Sequence, residues 1–161
     1  MASVPKMLET WRIVKKKYAE TAFSGDGSKM YEGRWHHAGI PVVYTAASLS
    51  LAALETFIHL EQNMTIEFVA LHTKIPNTIS FETINESDLP KNWNASPAII
   101  LTKNLGTNWF NQNHSAILKV PSVLIPGEYN YLLNPLHKDF SKIQRSKPIP
   151  FSFDHRMWKK H

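Results

Sequence analysis

Residues 48–62 carry a helical period, and the stretches around them are short and β-like. Leu51, Leu54 and Ile58 recur there at three- and four-residue steps, the spacing that lines one side of a helix. Ser48 stands ahead of them as an N-cap. Before this segment, residues 40–44 form a short β-branched run entered through Pro41, which suits an edge or the start of a strand. After it, residues 66–75 alternate as a strand does. One amphipathic helix among short strands predicts an α+β domain, and the order gives no support for a doubly wound parallel sheet.

The remaining segments fit that frame. Residues 11–18 read as an opening strand or a short helix. Residues 23–28 read as a turn-rich loop, because Gly25 and Gly27 permit backbone angles that other residues avoid. The stretch 76–113 reads as mostly irregular, broken at Pro90 and Pro97, with a short helix before Lys103. One or two buried strands are expected over 116–125, interrupted by Pro121. Residues 129–133 then lead into an Asn134-Pro135 turn, and 151–153 offer a last strand. No repeat, low-complexity segment or linker divides the 161 residues, so one compact domain is expected.

Composition excludes several function classes. Cysteine is absent, which removes disulfide frameworks and thiolate metal sites. No apolar stretch approaches the ~20 residues needed to cross a bilayer, and no apolar run follows Met1–Lys6 to act as a secretion signal. A soluble, cytoplasmic protein is expected. The net charge of +5 invites a nucleic-acid-binding module. Its basic residues, however, gather at Lys15–Lys17, between Lys138 and Lys147, and at Arg156, Lys159 and Lys160, with no RNA-recognition signature or zinc-finger spacing. Lys15–Lys17 is either a solvated face or a surface for an acidic partner. No metal is expected: His36 and His37 are adjacent and converge poorly, Glu55 and His59 lack the His-Glu-x-x-His arrangement, and His72 on an apolar strand suits a core histidine.

Arg34, Tyr44 and Glu55 follow one another at intervals of ten and eleven residues, on segments that read as loop, strand and helix. Arg34 follows Gly33, which lets a ligand approach the backbone, and its planar fork suits phosphate or carboxylate. Its alternative is cation–π packing over Trp35. Tyr44 ends an apolar run and shares a face with Val42, either as core with a satisfied hydroxyl or as a wall of a site. At ~100° per residue, Glu55 lies roughly 40° from Leu51 and 60° from Ile58, at the edge of the buried stripe. It is either a boundary residue paired with His59 or a carboxylate aimed into a cleft. Together the three residue types suit cleavage of a nucleotide at its ribose.

From Trp11 onward a series of short motifs runs along the chain: Trp11-Arg12-Ile13, Phe23-Ser24-Gly25-Asp26-Gly27, Tyr31-Glu32-Gly33-Arg34-Trp35 and Pro41-Val42-Val43-Tyr44-Thr45-Ala46. Ser48-Leu49, Leu54-Glu55 and His59-Leu60 continue it. Late in the chain come Val120-Pro121-Ser122, the run from Glu128 to Pro135, and Phe153-Asp154-His155-Arg156. In these motifs and their order the chain resembles the RES-domain family of toxins from bacterial toxin–antitoxin systems.

The resemblance implies an ADP-ribosyltransferase-like single domain over 1–161 (core about 11–158), with mixed short-strand sheets and a key helix near 48–62. It further implies consumption of NAD+ as substrate by glycohydrolysis or phosphorolysis, with inorganic phosphate as co-substrate in the latter. ADP-ribosyl transfer to a cellular protein is the alternative. By this resemblance Arg34, Tyr44, Glu55 and Ser122 are the catalytic set. Arg12, Arg34, Tyr44, His59 and Ser115 are the nucleotide-binding set, Ser115 being a rival to Ser122 for the serine role. Glu32 and His36 depart from the family pattern, which often has glycine and asparagine there. A cognate Xre-like antitoxin with a helix-turn-helix domain is the implied partner, with a homodimer also considered.

Overall fold

A computed structural model describes residues 7–61 and 65–158. The expected helix end at Gln62, the basic residues Lys159 and Lys160, and Met1–Lys6 lie outside the described residues. The strands are β1 (Leu8–Lys15), β2 (Val43–Ala46), β3 (Phe68–Ile75), β4 (Glu82–Thr83), β5 (Ile117–Pro121), β6 (Tyr129–Leu133), β7 (Gln144–Arg145) and β8 (Ile149–Phe151). The helices are α1 (Asp26–Met30), α2 (Leu49–Phe57) and α3 (Ile100–Gln112).

The strands form one eight-stranded sheet, not several, in the order β4-β5-β6-β2-β1-β3-β7, with β8 also on β3. All pairings are antiparallel except β4 with β5. The longest ladder joins β1 to β3 from Leu8↔Ile75 to Lys15↔Phe68. The α+β class expected from the sequence is therefore the class observed.

Strand alternation sorts the core into two faces. Val43, Ile117, Tyr131 and Leu133 pack on one face with Ile75, Phe140 and Ile143. Val42, Tyr44, Leu118, Val120 and Leu132 point to the other, against Trp35, Trp93 and Trp109. Ala46 shares this second face and packs with Ile13, Phe68 and Ala70 under Leu51 and Ala52 of α2. Two helices thus lie on one side of the sheet, α2 over β1 and β2, and α3 over β5 and β6. The floor left between them carries Tyr44 and Asn130.

Several local expectations are corrected. The opening segment is a strand, with one 3-10 turn at Lys16–Tyr18. The presumed loop at 23–28 passes into α1 through Gly25, whose φ of 75° is left-handed and therefore suits glycine. The second helix starts as expected, with Ser48 Oγ accepting from the Leu51 N–H at 3.1 Å, but its regular part stops at Phe57. Pro121 ends β5 and does not interrupt it, and the last strand is centred two residues earlier than expected. The largest departure is α3, thirteen residues long, where mostly irregular chain was expected. Its buried stripe is Thr102, Gly106 and Trp109, so it lacks the apolar period that announces a helix. Among the described residues, no helix is long and apolar enough to cross a membrane.

Candidate active site

A tight turn sets the first side chain. The Gly33 N–H donates to the His36 carbonyl at 3.1 Å, and Trp35 inside this turn is buried in the core. Anchoring Trp35 leaves Arg34 at the turn's outer edge, half-buried. Its Nη1 donates to the carbonyls of Trp93 (3.0 Å) and Ala95 (2.9 Å). One nitrogen of the fork is thereby tied to the 93–95 loop, and the rest of the guanidinium remains available to an anion. Trp35 pairs with Trp93, ring centroids 6.0 Å apart, and the expected alternative of Arg34 stacked over Trp35 is not what the structure shows.

Tyr44 lies on β2 opposite Leu132. Its hydroxyl accepts from the Trp35 N–H at 3.3 Å and stands 2.7 Å from His36 Nδ1. Burial pushes the phenol well above its ordinary pKa, while Arg34 pulls in the opposite direction. Arg12 on β1 holds this strand from behind, its Nη1 donating to the Tyr44 carbonyl at 2.9 Å. Desolvation by burial draws the Arg12 guanidinium down to about 10, and its Nε has no hydrogen-bond partner among the described residues.

Glu55 projects from α2 toward the same floor. Ser122 Oγ donates to its Oε1 at 3.2 Å. Burial raises the Glu55 pKa most strongly; the Ser122 bond, the nearby Asn130 amide and the charges of His59 and Arg34 hold it down. Burial likewise lowers the Arg34 pKa, while Glu55 and Tyr44 raise it. Arg34 therefore lies within electrostatic reach of both Glu55 and Tyr44. His59 lies in the exposed turn beyond α2, close enough for its charge to reach Glu55.

The two serines part company. Ser122 Oγ, besides donating to Glu55, accepts from the backbone N–H groups of Leu124 (3.1 Å) and Ile125 (3.2 Å), which fixes it as an orienter of Glu55. Ser115 is at the far end of β5, about 20 Å away along extended chain. It accepts from Trp109 Nε1 at 3.1 Å and stands 2.6 Å from Glu82 Oε2, to which it donates. The structure does not bring Ser115 to the cleft; it joins α3 to the β4–β5 edge.

Asn130 is the residue that sequence reading missed. It pairs with Ala46, so it faces the cleft, and its Nδ2 also donates to the Thr45 carbonyl at 3.3 Å. The available signal was a polar residue sharing a strand face with Leu132. Among the described residues, no three His, Asp or Glu side chains cluster in a way that could hold a metal ion.

A carboxylate, an arginine fork and a half-buried tyrosine thus lie on one side of the sheet, beside two helices. The RES domain model matches residues 9–154, and the chain belongs to the RES domain family. Toxin Res of Photorhabdus laumondii is 40% identical over 151 residues, spanning 92% of this chain and 96% of the relative. The Prs ADP-ribosylating toxin of Sphingobium sp. is 35% identical over 155 residues, spanning 93% and 96%. A chain of the MbcT–MbcA toxin–antitoxin complex of M. tuberculosis superposes with a TM-score of 0.73 at 13% identity, covering 91% of this chain and 85% of that one. At that identity the superposition speaks for the fold alone.

Proposed function

We propose that this RES-family toxin cleaves the bond between nicotinamide and ribose in NAD+. The observation that carries this reading is Glu55: a half-buried carboxylate that accepts from Ser122, with Asn130 and Arg34 also favouring its ionised form. Nicotinamide is a cationic leaving group, so it departs with the bonding electron pair and needs no general acid. The ribose becomes oxocarbenium-like, and the Glu55 carboxylate stabilises that charge. Water then bonds to the ribose carbon and gives up a proton, which Glu55 relays to solvent. With inorganic phosphate as the acceptor, the products are ADP-ribose phosphate and nicotinamide. Arg34 grips the pyrophosphate through the part of its fork not held by the 93–95 loop, and Arg12 supports the strand that carries Tyr44.

A second reading, ADP-ribosyl transfer to a protein, is favoured by the Sphingobium relative that is named for it. Purified protein incubated with NAD+, with and without phosphate and with and without cell lysate, separates these chemistries. Free nicotinamide with ADP-ribose or its phosphate supports NAD+ destruction; label transferred to protein bands supports the second reading; intact NAD+ in every arm contradicts both. An NAD+ consumer needs restraint, so a cognate antitoxin that covers the cleft is part of this proposal, in keeping with the complex in which the structural neighbour was solved.

A further inference from the structure

His36 is 2% exposed and touches the cleft only through Tyr44. We propose that His36 fixes the direction of the Tyr44 hydroxyl, so that Tyr44 meets its ligand solely as a hydrogen-bond acceptor, for an N–H or O–H donor. The nature of that ligand rests on the NAD+ reading above; the state of His36 does not.

The assignment follows from partners. His36 Nε2 lies 3.1 Å from the Ser28 carbonyl oxygen and 3.0 Å from that of Tyr31. Carbonyl oxygens only accept, so Nε2 carries a hydrogen. Burial lowers the His36 pKa below its ordinary value, which leaves the ring neutral at neutral pH with a single N–H. Nδ1 is then a bare lone pair, and the 2.7 Å contact is Tyr44 Oη–H donating to Nδ1. The phenol keeps its hydrogen, since burial raises its pKa.

The charged and titratable groups facing His36 are Glu32, which raises its pKa, and His37, which lowers it. Glu32 is itself held by Lys103 Nζ at 2.6 Å. Gly33 makes room for the pair: a Cβ there would stand 2.7 Å from the Tyr44 hydroxyl and 2.9 Å from His36 Cε1.

With its hydrogen committed to His36 and one lone pair taken by the Trp35 N–H, Tyr44 has only its remaining oxygen lone pair to offer the cleft. A phosphate or carboxylate, which lacks donors, gains nothing from it. A carboxamide N–H or a ribose hydroxyl does. Anion recognition therefore falls to Arg34 and donor recognition to Tyr44, with His36 as the positioning residue.

Long-range 1H–15N NMR on the wild-type protein at neutral pH reads the His36 tautomer directly. Protonated Nε2 with bare Nδ1 is expected; the reverse tautomer or an imidazolium overturns the proposal. Kinetics supply the second arm. His36→Leu and Tyr44→Phe should each raise KM for NAD+ about tenfold, the size of one lost hydrogen bond. His36→Asn, whose amide oxygen replaces the Nδ1 lone pair, should stay within about threefold of wild type. Equal losses in His36→Asn and His36→Leu, or an unchanged KM in Tyr44→Phe, contradict it. Wild-type protein that shows the expected tautomer but leaves NAD+ intact would refute the NAD+ reading and spare the His36 assignment.

Discussion

In the proposed mechanism Glu55 has to remain ionised beside a forming cation while sitting where burial disfavours charge. Burial pushes its pKa up, and two neutral polar side chains, Ser122 and Asn130, oppose that push. A group with a raised folded pKa destabilises the fold once ionised, so Glu55 subtracts stability as pH rises through its folded pKa. The same shift places the acid limb of activity above the usual carboxylate range. Asn130→Ala removes one side chain that favours the ionised form. Its pH–rate profile should show the acid limb moved to higher pH, with kcat falling about tenfold and KM little changed; an unmoved limb would remove Asn130 from the mechanism. Arg34→Lys keeps a charge but loses the two carbonyl bonds and the fork. Steady-state kinetics should show kcat/KM lowered roughly ten- to a hundredfold, and wild-type kinetics would remove bidentate anion recognition. Arg34, Tyr44 and Glu55 were legible because each stands on an element with its own local signal. His36 and Asn130 were not, because their roles depend on the partners Tyr44 and Glu55, brought to them only by folding.

The elements differ in how openly they are written. Ser48, Leu51 and Leu54 announce α2 by cap and period. The third helix buries Thr102 and Gly106 and exposes Ile100 and Leu101, which inverts the usual pattern. Gly106 explains why: a Cβ there would lie 1.7 Å from the Trp35 carbonyl oxygen, so only glycine lets α3 seat against the turn that presents Arg34. Gly106→Ala should destabilise the fold by about 3 kcal/mol. Thermal denaturation should show a midpoint lower by roughly 6–12 °C; an unchanged midpoint would mean that α3 does not press on that turn. Ser115 misled for a related reason. The five-residue strand β5 separates it from Ser122, and its hydroxyl serves the α3 contact through Trp109 and Glu82.

At the level of the whole molecule, one curled sheet holds the site, and its longest ladder joins strands about sixty residues apart in the chain. Short strands were readable from alternation, but their pairing order was not, since no local signal tells β2 to lie between β1 and β6. The C-terminal segment closes over α2 through aromatic contacts: Phe57 meets Phe153 at 5.8 Å and Trp158 at 5.1 Å between centroids, which braces the helix that carries Glu55. The central claim is that Glu55 drives bond cleavage in an NAD+ molecule held by its neighbours. The most direct measurement is parallel titration and turnover of NAD+ by wild type and Glu55→Gln. The account predicts comparable affinity in both, with nicotinamide released by wild type alone. Undiminished nicotinamide release by Glu55→Gln would contradict it.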